Sequence, residues 1–515
     1  MSHVFTYGPG KAVVETTYGK IRGYEYDNIS IFKGIPYARA RRFHAPEPVE
    51  PWEGERDATN YGYVCPLLNR PQANGELMVP HRYWIENEDC LNLNIWTPGC
   101  DDGKRPVLVW LHGGGFREGS AIEQVAYEGE NMCREGQAVV VSVNHRLNVL
   151  GFCDLSAFGE EYANSGNAGM DDIIAALRWI RDNIAKFGGD PDNMTLFGQS
   201  GGGAKITTLL QMPAADGLYA KGIIMSGIIG PVLADSEGSG EELVRAMMKE
   251  LKLTDVKELE KVSYGHLAAA YNRVSPKLQK EGKYIGGTPH PNAFYRGTPE
   301  KNGFRQETAR IPLVIGTVFG EFTAFSDAFA GRDPSVLGEE AVKGLLGADA
   351  AAELLPLFEK AYPERDPAEV MMLDFIFRLP TQEYIKIRSG LNDCTYSYLF
   401  DLNMAVGDGR APWHCADIPF VFRNTELVPV TQQGEVTKKV EEEVFGCVMA
   451  FAEKGDPNHS KVPHWSASDP ETEHTMVFGK ETAVKDNFDR ELVPLVAKYM
   501  GPVFARGFNT ETVQH

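Results

Sequence analysis

The segment 198–202 has the residue types and spacing of a site for nucleophilic catalysis. It reads Gly-Gln-Ser-Gly-Gly and lies between an apolar run, 194–197, and a helix-like segment, 204–212. In this strand–turn–helix context a serine occupies a strained turn, and small residues two positions before and after it let the backbone reverse without collisions. Because the chain contains 53 glycines, the pentapeptide alone is weakly specific. It marks Ser200 as a candidate nucleophile whose surroundings must supply the remaining chemistry.

A second glycine-rich turn offers hydrogen-bond donors for acyl transfer. Residues 112–116 read His-Gly-Gly-Gly-Phe and follow an apolar run that ends at Leu111. Glycines leave their N–H groups accessible to the oxygen that becomes negative in a tetrahedral intermediate, and the N–H of Gly201 can complete the hole. A purely structural turn is the alternative for this segment taken alone. Together the two turns predict an oxyanion hole.

A serine nucleophile also needs a base held by an acid, and the chain order Ser, acid, His is that of an α/β-hydrolase. His414 is the best candidate base, because its loop, 407–414, lies between a strand near 396–401 and the apolar run 418–422. A side chain there can project over the sheet edge, although a solvated loop histidine is the alternative. Apart from the terminal one, the histidines after Ser200 are His266, His290, His414, His459, His464 and His474.

Glu321 is the candidate acid. It follows residues 316–320 at the end of an apolar strand, so its carboxylate lies on a strand-to-loop turn beside the predicted active face. A capping or solvated glutamate is the alternative, and Asp327 is the nearest competitor. The three side chains can act together only if the fold brings these distant positions to one edge.

Strands that alternate with helices predict an α/β fold with a buried, mostly parallel central sheet. Continuous apolar runs are typical of parallel strands covered on both faces. A helix over 171–187, closed by Gly188, leads back to the strand before Ser200. The predicted strands of this sheet are 107–111, 138–143, 194–197, 222–226, 313–317 and 396–400.

The rest of the chain adds an edge and two insertions. Short strands at 12–17, 20–26 and 29–33 predict an antiparallel edge ribbon. The stretches 235–310 and 325–390 are predicted to be mostly helical and to pack over the carboxyl ends of the strands, where open α/β sheets bind ligands. Without repeats or a long linker, residues 1–515 are predicted to form a single domain with these two insertions.

Composition excludes several classes of partner. The net charge of −20 disfavours nucleic acid and anionic lipid, and no segment approaches the roughly 18 apolar residues of a membrane span. The N-terminus has neither a basic region nor an apolar core typical of a signal peptide, which predicts a cytoplasmic protein. The eight cysteines form no C-x-x-C pair and no zinc spacing. We therefore expect reduced thiols and no metal.

The chain as a whole resembles the type B carboxylesterases, the cholinesterase-like branch of the α/β-hydrolase fold. The resemblance covers most of the chain and is specific because several motifs match at once. These motifs are 32–38 (Phe-Lys-Gly-Ile-Pro-Tyr-Ala), 88–96 (Glu-Asp-Cys-Leu-Asn-Leu-Asn-Ile-Trp), the glycine turn 112–116, 144–152 (Asn-His-Arg-Leu through Gly-Phe), 187–191 (Phe-Gly-Gly-Asp-Pro) and the turn 198–202.

The resemblance assigns roles to individual residues and implies no metal or organic cofactor. The implied catalytic triad is Ser200, Glu321 and His414; the implied oxyanion donors are the N–H groups of Gly114, Gly115 and Gly201; the implied supporting residues are Ser226 and Asp417. Cys65 and Cys90 match the family's first disulfide, although we expect them to be reduced.

Two departures from the family pattern concern the nucleophile turn. Gln199 and Gly201 stand where animal cholinesterases have glutamate and alanine, so a charge that favours cationic substrates is absent and choline esters are disfavoured. Lys205 stands where the family usually has a small or apolar residue, and nothing in the sequence explains it. Matching is poorest over 235–400, the region expected to line the substrate pockets.

The sequence thus predicts a serine carboxylesterase that acts on a small-molecule ester through an acyl-enzyme. The alternatives on the same site are a lipase, thioesterase, amidase or lactonase, and from another class a noncatalytic cholinesterase-like binding protein. Three aromatic residues adjoin the motifs and are candidates for an apolar substrate pocket, with core packing as the alternative: Phe116, Phe322 and Trp413.

Overall fold

The structure is a computed structural model that describes residues 3–69, 80–228, 238–325, 338–406 and 410–511. Its strands are β1 (Phe5–Thr6), β2 (Val13–Thr16), β3 (Gly19–Arg22), β4 (Tyr24–Tyr26), β5 (Ile29–Pro36), β6 (Glu55–Asp57), β7 (Asn92–Thr97), β8 (Arg105–Leu111), β9 (Val139–Val143), β10 (Gly189–Gln199), β11 (Lys221–Met225), β12 (Leu313–Val318), β13 (Thr395–Phe400), β14 (His474–Phe478) and β15 (Ala483–Asp486).

The α-helices alternate with the strands from β8 onward. They are α1 (Glu130–Gly136), α2 (Asn148–Phe152), α3 (Ala168–Asn183), α4 (Gly201–Leu209), α5 (Glu241–Leu251), α6 (Tyr264–Lys280), α7 (Pro299–Asn302), α8 (Glu339–Leu346), α9 (Ala348–Ala361), α10 (Arg378–Ser389), α11 (Ile418–Phe422), α12 (Glu435–Lys454) and α13 (Leu492–Glu511).

Within the described residues, the main sheet has twelve strands in the order β1-β4-β5-β7-β9-β8-β10-β11-β12-β13-β14-β15. The run from β9 to β14 is parallel, and antiparallel strands complete both edges. The apolar run of β8 alternates between two cores, with Val107 and Val109 in one and Leu108 and Trp110 in the other. Burial on both faces is the reason why these strands are continuously apolar. The predicted mostly parallel α/β sheet is confirmed.

Five parallel strands deliver the candidate residues to the same edge of this sheet. The glycine turn with Gly114 follows β8, and Ser200 follows β10. Ser226 follows β11, Glu321 follows β12, and the loop with His414 follows β13. Because the carboxyl ends of parallel strands meet at one edge, residues more than 200 positions apart in the chain become neighbours.

The N-terminal strands differ from the predicted edge ribbon. Strands β1, β4 and β5 do lie at the edge of the main sheet, but β2, β3 and β6 form a separate three-stranded sheet. Gly23 stands between β3 and β4 at the change of sheet, where a Cβ atom would lie 2.1 Å from the backbone oxygen of Ile31. The chain therefore passes from one sheet to the other at a point of backbone contact that only glycine permits.

The helix before the nucleophile has the predicted form. Helix α3 begins at Ala168, and a 3₁₀ turn, Ile184–Phe187, extends it to Gly188, whose φ of 73° ends the helix in the left-handed region. Helices α5 to α7 lie within 238–310, and α8 to α10 lie within 338–389. The division of the chain into one domain with two helical insertions stays a prediction.

Candidate active site

Ser200 occupies a strained turn between β10 and α4. Its backbone has φ 56° and ψ −123°, and its N–H donates a hydrogen bond of 2.7 Å to the oxygen of Met225 on the neighbouring strand. A Cβ at Gly202 would lie 1.9 Å from the oxygen of Leu111, and one at Gly198 would lie 2.6 Å from the backbone of Gly202. The two glycines are therefore sterically required, and the turn presents a half-buried serine at the start of a helix.

Glu321 and His414 lie on two loops that pair with each other. The N–H of His414 donates to the backbone oxygen of Glu321 at 3.2 Å, and Gly320 donates to Pro412 at 3.0 Å. Glu321 is fully buried with φ 40°, and its Oε2 accepts a short hydrogen bond from His414 Nδ1. Because a carboxylate can only accept, Nδ1 is the donor in this bond, so in a neutral ring the lone pair that can accept a proton is on Nε2.

The other carboxylate oxygen of Glu321 is also held. Its Oε1 accepts from the hydroxyl of Ser226 at 2.5 Å and from the backbone N–H of Val318 at 2.9 Å. Ser226 is fully buried and, at φ 47°, also lies in the left-handed region. The predicted supporting serine thus contacts the predicted acid directly, and the carboxylate has little freedom to turn away from His414.

Ser200 and His414 are not hydrogen-bonded to each other in this structure. Nε2 of His414 instead lies 3.2 Å from the side-chain amide nitrogen of Gln199. The oxygen of the same amide accepts a hydrogen bond of 3.1 Å from the thiol of Cys415. The imidazole therefore contacts the residue next to the candidate nucleophile. Catalytic hydrogen bonds are often long or misaligned in a free enzyme and tighten when a substrate is bound.

Two phenyl rings pack against the imidazole of His414. Phe322 lies 4.4 Å from it between ring centroids, and Phe377 stacks on it at 5.0 Å with an interplanar angle of 21°. Phe322 is 44% exposed, whereas Phe116 and Trp413 are buried in the two cores. The assignment of these three aromatic residues to a substrate pocket stays a prediction. Phe377 escaped prediction because no motif marks the segment that carries it.

The glycine turn lies directly against the first residue of α4. Gly114 and Gly115 have φ values of 81° and 64°, which side chains other than glycine rarely adopt. A Cβ on Gly201 would lie 2.1 Å from the oxygen of Gly115. The glycine turn and the start of the helix are thus in backbone contact, and the assignment of their N–H groups as oxyanion donors stays a prediction.

Two further buried carboxyl groups lie near Glu321. Asp417 accepts a hydrogen bond of 2.8 Å from the hydroxyl of Tyr398, and burial raises the pKa of Asp417 to about 7. Asp374, which sequence reasoning missed, accepts hydrogen bonds from the backbone N–H groups of Phe377, at 3.0 Å, and of the two residues on either side of Phe377. Burial raises the pKa of Asp374 to about 8. Asp374 therefore fixes the chain that carries the ring stacked on His414.

A cavity of about 1480 Å³ reaches Gly114 and Gly115. Its other lining residues include Arg117, Glu118, Glu123, Trp84 and Tyr271, so charged and aromatic groups share its walls. None of the aromatic residues predicted to line a pocket contributes to this cavity.

Asp327, the competitor of Glu321 for the role of the acid, lies outside the described residues.

Other features of the described residues concern metals, thiols and membranes. No group of three or more His, Cys, Asp or Glu side chains in the described ranges is arranged to hold a metal ion. Cys65 and Cys90 are buried free thiols. In the same part of the chain, the helices are all too short or too polar to cross a lipid bilayer.

Comparison with known proteins decides the family. The sequence profile described as "Carboxylesterase family" matches residues 10–494, nearly the whole chain. The chain belongs to the carboxylesterase family. It therefore has the α/β-hydrolase fold and is an enzyme that hydrolyses carboxylic esters, as the sequence predicted, and the noncatalytic alternative is set aside.

Individual esterases and a related hydrolase are similar over nearly their full length. The para-nitrobenzyl esterase of Bacillus subtilis is 33% identical over 497 residues, which cover 93% of this chain and 97% of that protein. The phenmedipham hydrolase of Pseudarthrobacter oxydans is 30% identical and covers 92% of this chain and 96% of its own. Among solved structures, an esterase from anaerobic Clostridium hathewayi that can hydrolyze aliphatic aromatic polyesters is 49% identical, with a TM-score of 0.93 over 97% of this chain and 100% of that one.

Proposed function

We propose that the enzyme hydrolyses esters through an acyl-enzyme formed on Ser200. The serine oxygen attacks the ester carbonyl while Nε2 of His414 takes the hydroxyl proton, and the N–H groups of Gly114, Gly115 and Gly201 stabilise the resulting oxyanion. His414 then gives that proton to the departing alcohol. Water attacks the acyl-enzyme by the same two steps in reverse, which releases the carboxylic acid and restores the serine.

The hydrogen bond from His414 Nδ1 to Glu321 carries this proposal. A buried carboxylate that is itself held by Ser226 and Val318 stabilises the imidazolium that forms when His414 takes the proton. The strained turn at Ser200 beside a glycine backbone supports the assignment of the nucleophile and of the oxyanion donors.

The substrate class that we propose is small esters, with aromatic acyl groups among them. The relative from Clostridium hathewayi acts on aliphatic aromatic polyesters, and the half-exposed ring of Phe322 beside His414 gives an aromatic group a surface to pack on. The cavity of about 1480 Å³ offers space for a substrate beside the proposed oxyanion donors Gly114 and Gly115, although Ser200, His414 and Phe322 do not line it. Lipase, thioesterase, amidase and lactonase activity remain alternatives without a specific observation in their favour.

Substitution of the nucleophile tests the mechanism. We expect Ser200→Ala to lower the turnover of a p-nitrophenyl ester by about a thousandfold or more, while the circular dichroism spectrum is unchanged. Ser239→Ala, at an exposed serine before α5, is the matched control and should keep wild-type turnover. Undiminished turnover in Ser200→Ala contradicts the proposal. A panel of esters varied separately in acyl and alcohol parts then identifies the substrate class.

We also propose a cytoplasmic location, with a small-molecule ester as the partner. Eight unpaired cysteines, five of them buried, support a reducing compartment. Fractionation of the native host tests this, because activity recovered outside the cytoplasm contradicts it.

A further inference from the structure

Lys205 is a buried cation that the proposed mechanism does not use. It lies on α4, four residues after Gly201 and so on the same face one turn further, and it is 0% exposed. Its Nζ donates a hydrogen bond of 2.8 Å to the backbone oxygen of His112. Glu123 is the acidic group whose charge acts on Lys205, yet no ion pair joins the two within the described residues. Lysine is almost never fully buried without a paired charge, so this position needs an explanation.

The other titratable groups that face Lys205 are two neutral histidines. The rings of His112 and His145 stack with centroids 5.1 Å apart, and their Nδ1 atoms lie 2.9 Å and 2.8 Å from the backbone oxygens of Gly113 and Arg146. Burial, with the charge of Lys205 as the next cause, holds the pKa of both histidines well below the usual range. Neither ring therefore acts as a counter-ion or as a second cation.

Lys205 binds a peptide group whose next residue, Gly113, lies against Ser200. The carbonyl that it binds belongs to His112, whose peptide leads into Gly113, and a Cβ at Gly113 would lie 3.6 Å from the Cβ of Ser200. Lys205 is carried by the helix that begins with Gly201 and is bonded to the turn that contains Gly114 and Gly115. It thus connects the two segments that are proposed to donate to the oxyanion.

We propose that Lys205 is a positioning residue that holds the glycine turn against α4 and places a positive charge behind the oxyanion. This inference rests on the proposed function. Burial makes the charge unfavourable in the free enzyme and lowers the pKa of Lys205 to about 7. Negative charge that develops on the substrate oxygen offsets that cost, so the interaction is stronger in the transition state than in the ground state.

The test replaces Lys205 by methionine, an uncharged and unbranched residue of similar length. We expect Lys205→Met to lower kcat for p-nitrophenyl butyrate at pH 7 by about 10-fold to 100-fold, less than the loss of a direct oxyanion donor, with KM changed less than about twofold. The inhibition constant of a trifluoromethyl ketone, which forms an oxyanion adduct with the serine, should rise by the same factor. The thermal midpoint should not fall, because an unfavourable buried charge has been removed.

The matched control is Thr208→Val, which removes a buried hydroxyl from the same helix one turn further. It should keep wild-type kcat and ketone affinity. If Lys205→Met keeps kcat within twofold, or loses kcat with no loss of ketone affinity, the proposal is wrong. Failure of the Lys205 proposal leaves the proposed mechanism intact. Only undiminished turnover in Ser200→Ala contradicts the acyl-enzyme mechanism itself.

A second variant keeps Lys205 in place in case the methionine variant does not fold. Glu123→Gln removes the acidic charge that favours the ammonium, so Lys205 loses its proton more readily. We expect the ratio of kcat at pH 8 to kcat at pH 6 to be lower than in the wild type. An unchanged ratio contradicts the proposal.

Discussion

The amide nitrogen of Gln199 lies 3.2 Å from Nε2 of His414, the imidazole atom that is proposed to take the proton of Ser200. The oxygen of the same amide accepts a hydrogen bond from Cys415, the residue after the histidine. Both polar atoms of the Gln199 amide thus contact the loop that carries His414. The same amide nitrogen also lies 3.4 Å from Nδ1, so a neutral group faces both ring nitrogens and adds no charge beside the imidazole.

A carboxylate in place of this amide should change the pH dependence of the reaction. In Gln199→Glu a negative charge next to the ring favours the protonated imidazolium, and the protonated ring cannot accept the serine proton. We expect the acidic limb of kcat/KM to move to higher pH by about one unit. Gln199→Met, which lacks both charge and amide, should leave the limb in place. An unmoved limb in the glutamate variant would show that this contact does not act on the base.

The contact between Gly201 and Gly115 leads to a steric prediction. A Cβ at Gly201 would lie 2.1 Å from the oxygen of Gly115 and 2.5 Å from its Cα, so alanine fits only if the glycine turn moves. We expect Gly201→Ala to lower kcat by about 10²-fold to 10³-fold, the effect of losing one oxyanion donor, with little change in KM. Steady-state kinetics on a soluble ester measures both.

The control for this variant is Gly265→Ala, in a helix where an added Cβ meets nothing within 4 Å. It should be fully active. The predicted loss depends on how closely the glycine turn of this chain approaches α4. Wild-type kcat in Gly201→Ala would mean that the turn can move without harm to the oxyanion hole.

Arg146 and Asp172 form a buried ion pair that fixes the loop after β9. Two hydrogen bonds of 2.6 Å and 2.8 Å join the guanidinium to the carboxylate, which also accepts the backbone N–H of Arg146. Arg146→Met leaves an unpaired charge in the core, and we expect it to lower the free energy of unfolding by about 3–5 kcal/mol. Urea unfolding followed by fluorescence measures this loss.

Two further variants distinguish the cost of leaving Asp172 unpaired in the core from the cost of removing an arginine side chain. Because an apolar pair can replace a buried ion pair at little cost, the double variant Arg146→Met with Asp172→Leu should be more stable than the single one. Arg245→Met, at an exposed pair with Glu241, should cost less than about 1 kcal/mol. If the double variant is the less stable, the unpaired charge is not the cause.

The sequence could predict the strands whose burial shows directly as an apolar run, such as β8 and β9. It did not predict β7, although that strand is fully buried between β5 and β9. Asn92 and Asn94 interrupt its apolar pattern, and both are buried because their side chains are hydrogen-bonded, for example from Asn94 to Ser142 at 3.0 Å. Periodicity cannot reveal a polar residue whose partner lies on another strand.

The residues of the candidate site also differ in whether the sequence could predict them. Ser200 and the glycine turn were predictable because the backbone chemistry of an elbow and of an oxyanion hole imposes a short sequence pattern. Phe377 and Asp374 were not, because a ring that stacks on His414 and a carboxylate that holds its backbone need only be the right distance away in space. The sequence shows that Gln199 lacks a charge, but its contact with His414 depends on a loop more than 200 residues later.

The buried charge of Lys205 should also appear in the pH dependence of stability. Its pKa is lowered from an ordinary value of 10.5 to about 7 in the folded protein, so between these values the unfolded chain binds the proton more strongly. The cost of burying the charge is therefore fully present below pH 7 and is relieved as the pH rises from about 7 to about 10, by at most about 1.4 kcal/mol per pH unit. We expect Lys205→Met to be more stable than the wild type at pH 7 and to lose that advantage by pH 10, as measured by the urea midpoints of both proteins across this range. A difference in midpoint that stays constant with pH would mean that the folded protein does not lower the proton affinity of Lys205.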